Sequence, residues 1–144
     1  MTSAVVSRVG GAKGEPFIHE GIAAADGILP CHLVKEGSTT VAVNNDNGTK
    51  AQPLFVQLNA PIGGDINTAY ASGETVRYGV YHTGQEVTAL VAAGALAITD
   101  GSPLTSAGDG TLKLGTVDNA VAYALESVDN SGGSTTVQIH ARVA

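Results

Sequence analysis

Tryptophan is missing from this 144-residue chain, and only two Phe and four Tyr stand in for it. The core must therefore be assembled from Val, Ile, Leu and Ala. The usual aromatic platform of a carbohydrate-binding β module has little to be made from. There is one cysteine, Cys31, so no disulfide can form within the chain. Charged residues make up 14% of the sequence, against roughly 25% in ordinary soluble domains. So little charge suggests that part of the surface meets other protein. The seven Lys and Arg are scattered and the net charge is −6. Nucleic-acid binding needs basic residues gathered on one face, so neither DNA nor RNA is expected as a partner. No run approaches 18 consecutive apolar residues, which argues against a membrane-spanning helix. The first residues carry no basic-then-apolar leader, so synthesis in the cytoplasm is expected.

What the chain does contain is glycine, 19 residues of it, dividing short segments rich in Val and Thr. Alternation of apolar and polar residues between turn signals predicts strands near 29–34, 38–43, 53–58, 75–81, 95–99, 111–114 and 121–128. The clearest is 134–143, where Val137, Ile139, Ala141 and Val143 alternate with Gln138, His140 and Arg142. Within 75–81, Val76, Tyr78 and Val80 share a face; within 121–128, Val121, Tyr123 and Leu125 do. The stretch 86–95 fits strand and helix equally. Asn44-Asn45-Asp46-Asn47-Gly48 predicts a hairpin turn, because Asn-Gly tolerates positive φ. Residues 1–28 show no clean period and contain Gly10-Gly11-Ala12-Lys13-Gly14-Glu15-Pro16. The expected architecture is mostly β: an extended N-terminal arm over 1–28, then one small antiparallel β-barrel or sandwich over 29–144.

Chemical motifs are sparse. Gly108-Asp109-Gly110-Thr111-Leu112-Lys113 fails the dinucleotide fingerprint, since Lys113 stands where the third Gly belongs. No phosphate loop and no G-x-S-x-G elbow occurs. His19, His32, His82 and His140 lack metal-ligand spacing, and neither a metal nor any other cofactor is expected. Cys31 and His32 are adjacent, so on a strand their side chains point to opposite faces, which favours an inert thiol. The residues 44–48 resemble half a calcium loop but lack the acidic first position and the closing Glu. The chain is therefore not expected to be an enzyme.

The second half resembles the capsid decoration, or cement, proteins of tailed bacteriophages. The similarity spans about 73–144. It rests on Gly73-Glu74-Thr75-Val76, on Ala97-Ile98-Thr99-Asp100-Gly101-Ser102-Pro103-Leu104 leading to Gly108-Asp109-Gly110-Thr111-Leu112-Lys113, and on Ala120-Val121-Ala122-Tyr123-Ala124-Leu125-Glu126-Ser127-Val128. The resemblance implies a barrel-like, or "tulip", domain. It would form homotrimers on the outside of the capsid and clamp neighbouring copies of the major capsid protein. Arg8, Lys13, Phe17 and Ile18 are the expected capsid contacts, because Phe and Arg concentrate energy at interfaces. Tyr78, Val80 and Tyr81 are candidates for the trimer seam, with ordinary core packing as the plainer reading. Another virion surface protein, such as a head-fibre base, is the nearest alternative.

Overall fold

A computed structural model describes residues 16–58, 65 and 67–144. Ten strands follow one another: β1 Phe17–Ala23, β2 Val34–Glu36, β3 Thr40–Val43, β4 Leu54–Val56, β5 Thr75–Val80, β6 Glu86–Val91, β7 Pro103–Ser106, β8 Leu112–Leu114, β9 Ala122–Ala124 and β10 Val137–Val143. Among the described residues the one helical turn is a 3₁₀ turn at Val117–Asn119. The mostly-β expectation holds. The ambiguous stretch at 86–95 begins as strand β6, with Val87, Ala89 and Val91 turned into a core.

The strands form two sheets. The first runs β2-β3-β1-β5-β4. It curls until its ends meet: Cys31 N–H donates to the Val56 carbonyl at 2.9 Å, Val56 N–H donates to the His32 carbonyl at 3.0 Å, and Leu33 bridges to Phe55. Inside it pack Ile28, Val34, Val41, Leu54, Val56, Tyr70, Val76 and Tyr78. The buried Tyr70 hydroxyl donates to the Gln57 carbonyl at 3.0 Å, so the polar tip is satisfied. In the second sheet the pairing runs β10-β6-β8-β7-β9, and β9 returns to β10. Its own strands supply aliphatic core residues, Leu104, Leu112, Ile139 and the small Ala89, Ala122, Ala124 and Ala141. Not every pairing is antiparallel: β1 runs parallel to β3, and β6 parallel to β8.

Several expectations change. Residues 17–28 are not an arm. β1 is the middle strand of the first sheet, paired along β5 from Phe17↔Val80 to Ile22↔Thr75, and Ile28 is buried in the core. The segment 95–99 makes only an isolated bridge, Ile98↔Val128. On β9 the core-facing residues are Ala122 and Ala124, while Tyr123 is half-buried opposite Arg142. On β4 both faces are buried: Leu54 and Val56 point into the first core and Phe55 into the second.

The residues 44–48 do not close a hairpin. They line the seam between the sheets. Leu33 N–H donates to the Gly110 carbonyl (2.8 Å), Gly110 N–H to the Asn44 carbonyl (3.2 Å), and Gly48 N–H to the Ser106 carbonyl (2.8 Å). The Asn44 side-chain oxygen accepts from the Asp46 N–H and from the Ser106 hydroxyl. Gly110 has φ +86°, and a Cβ there would sit 3.1 Å from the His32 ring and 3.2 Å from Val43 Cβ. Only glycine satisfies both the backbone and the close approach.

Candidate docking surface

Among the described residues, the large apolar side chains left exposed are Phe17, Ile18, Ile22, Leu58, Leu96 and Val117. Scattered single residues of this kind are ordinary. Three of the six, however, lie on one strand. Along β1, Ala23 joins the core, the Gly21 position faces Val41, and His19 lies beside the Tyr78 ring. Strand alternation therefore turns Ile18, Glu20 and Ile22 outward. Ile18 is 44% and Ile22 42% exposed, and between them Glu20 lies 4.0 Å from Arg77 on β5. At the start of the strand, Phe17 is 64% exposed and meets the His82 ring edge-on at 5.1 Å.

The same strand also has an open edge. Ala23 N–H bonds to Glu74 on the β5 side, while Ile22 and Ala24 bond to Thr39 and Val41 on the β3 side. Backbone groups alternate along a strand, so those of Ile18 and Glu20 also point to the β3 side. Pairing with β3 begins only at Ile22↔Thr40. Among the described residues no strand pairs with Ile18 and Glu20 on that side. An edge of this kind beside exposed aliphatic side chains is a template for another strand.

Of the expected contact residues, Phe17 and Ile18 thus share this surface. Arg8 and Lys13 lie outside the described residues. The seam candidates occupy interior positions in the single chain. Tyr78 is buried in the first core and its hydroxyl donates to Glu36; burial and that bond push its pKa up to about 12. Val80 packs on the same core. The Tyr81 ring meets Phe55 edge-on at 5.7 Å, and its oxygen accepts from Gln57. Sequence reasoning missed Ile22, Glu20 and the open edge. The local sequence carried little signal for them: 17–23 shows no clean alternation and follows a Gly-rich stretch.

The buried His32 ring accepts from the Leu29 N–H at 3.0 Å; burial pushes its pKa down and Asp109 pulls it back up. Burial raises the Cys31 thiol to about 11, so it is un-ionised at neutral pH and a poor nucleophile. Cys31 holds φ +73°. His140 contacts Glu86 at 2.9 Å on the outer face of the second sheet, and Arg142 reaches the same carboxylate at 3.2 Å. Among the described residues, no three His, Cys, Asp or Glu side chains gather as a metal site.

No protein-family model matches the sequence, and no curated protein matches it. Among solved structures, the chain is similar to the head fiber gp8.5 N base in bacteriophage phi29. The TM-score is 0.56 at 14% identity, over 89% of this chain and 93% of that one. At that identity the likeness is one of fold: nearly the whole chain is arranged as in a protein of a phage head fibre.

Proposed function

We propose that this chain is a structural protein of a phage virion, mounted on the outer capsid surface as a homotrimer that holds neighbouring major capsid subunits together. The observation that carries this reading is the near-complete fold likeness to the head-fibre base. Two features support it independently: a low charge content and an exposed aliphatic strip on β1. The role is mechanical, not enzymatic. Such a protein needs many modest contacts made together, and a multimer supplies them by raising the effective concentration of each successive contact.

A head-fibre base is the second reading, and the same fold likeness favours it directly. The two differ in stoichiometry and in what lies beyond the attached domain. Co-sedimentation of the purified chain with expanded, undecorated capsids tests both, with the mass of the free protein measured by light scattering. Saturable binding of trimers at a fixed ratio to capsid subunits is the expected result for a shell-wide clamp. Binding at a few sites per particle would favour the fibre base. A monomer that stays in the supernatant would overturn both.

A further inference from the structure

We infer that Asn47 is a latent modification site: its side-chain amide is converted to an acid through attack by the Gly48 nitrogen, and the seam between the sheets blocks that reaction until it opens. Asn47-Gly48 is the only Asn-Gly pair in the chain. Glycine at the second position leaves the attacking nitrogen unshielded and gives the backbone the freedom that ring closure requires. In the reaction the Gly48 nitrogen loses its proton and bonds to the side-chain carbonyl carbon of Asn47. The bond from that carbon to the amide nitrogen breaks, and ammonia leaves with the proton. Water then opens the cyclic imide at either carbonyl, which gives an aspartyl or an isoaspartyl link. Nothing is oxidised or reduced, and solvent water is the one co-reactant. Asn47 is exposed, so water reaches it.

The seam withholds both reacting groups. The Gly48 N–H donates to the Ser106 carbonyl at 2.8 Å, and a hydrogen bond made by the protonated form favours keeping that proton. The Asn47 amide is engaged as well, its Oδ1 accepting from the Lys113 ammonium on β8 at 2.5 Å. Its side chain lies over Gly108, where an added Cβ would come within 3.1 Å of the Asn47 Cβ. The Asn47 backbone is bridged to Ala107. Attack requires the Gly48 N–H to leave Ser106 and the amide to turn away from Lys113, so the seam must part first. The product then decides whether it closes again. An aspartyl link keeps the backbone and sets a carboxylate beside Lys113. An isoaspartyl link puts an extra methylene into the backbone ahead of Gly48, which displaces the Gly48–Ser106 bond from the Asn47↔Ala107 bridge. A seam opened long enough to react is therefore kept open by its own chemistry.

The test is the rate of this conversion in the native chain, in the chain unfolded by guanidinium chloride, and in Gly110→Ala, whose added Cβ presses on the His32 ring at the seam. All three are incubated at one mildly alkaline pH and matched ionic strength, then digested. The peptide holding Asn47 is assayed for the amide-to-acid mass gain and for isoaspartate. The unfolded chain is expected to react at least about tenfold faster than the native one, which corresponds to about 1.4 kcal/mol of protection. Gly110→Ala is expected to fall between them. Equal rates in the native and unfolded chains would overturn the inference. Should Gly110→Ala fail to fold, Lys113→Ala at its half-buried position provides the second reading. Releasing the Asn47 amide in this way is expected to speed the reaction of the folded chain severalfold, and a rate as slow as the native one would overturn the hold assigned to the seam.

Discussion

The two sheets solve the same packing problem in different ways. The second closes its ring of pairings and fills it with Leu, Ile, Val and four core alanines. Its outward residues on β10 and β6 are polar and paired, as in the contact of Glu86 with both His140 and Arg142. The first sheet meets its own ends through a few backbone bonds, takes Tyr70 and Tyr78 into its core, and leaves β1 half unpaired with isoleucines outside. A closed ring has no edge to offer. Among the described residues the unpaired edge therefore lies in the first sheet, and the second is joined to it through the seam at 44–48 and 106–110.

The largest test of that division is deletion. Removing residues 1–28 takes away the central strand β1 and the buried Ile28, so the first sheet should fail to form. The readout is loss of cooperative thermal unfolding and of protection in its amide exchange. Removing only 1–15 should leave the fold intact. Next comes Phe55→Ala: Phe55 lies on a first-sheet strand but fills the second core. A loss of about 3–5 kcal/mol by denaturant unfolding is expected. Ile139→Ala, confined to the second ring, should cost about 2–5 kcal/mol. If Phe55→Ala proved nearly neutral, the two cores would not be coupled as described.

A smaller effect is expected at the seam. Gly110→Ala forces a Cβ against the His32 ring at a positive φ. About 1–3 kcal/mol should be lost. The seam also carries a pH dependence. Burial holds the His32 pKa below its ordinary value of 6.5, so the unfolded chain binds that proton more readily. The stability gained by keeping the ring neutral is complete above 6.5 and is lost as pH falls through the lower folded value. His32→Gln should flatten this part of the stability profile below about pH 7. A profile unchanged by the substitution would assign the dependence elsewhere. Smallest of all, Glu86→Gln on the exposed second-sheet face should shift stability by less than about 1 kcal/mol.

The contrast also explains what could be read from the sequence. On β10 one face is buried and the other exposed, so period 2 survives and the strand was legible residue by residue. The face of β5 was legible for the same reason: Val76, Tyr78 and Val80 all pack on one core. β4 was legible as a strand within 53–58, but not the burial of both its faces, Leu54 and Val56 by the first core and Phe55 by the second. β1 was hidden by its own pattern. Its outward isoleucines look like inward ones, and its inward face holds a Gly whose absent Cβ lets Val41 approach. Asn47-Gly48 gave the positive φ expected of it, but long-range bonds to 106–110, invisible in local sequence, turned it into a seam instead of a hairpin. The parallel pairings β1–β3 and β6–β8 likewise have no local signature.

The central claim is that this protein sits on the outside of a phage shell. Electron cryomicroscopy of expanded capsids incubated with the purified chain tests it most directly. The account predicts added density on the outer surface, threefold in shape and fitted by the two-sheet fold with the first sheet's β1 at a contact. Capsids indistinguishable from the untreated ones, at protein concentrations that saturate no other site, would contradict it.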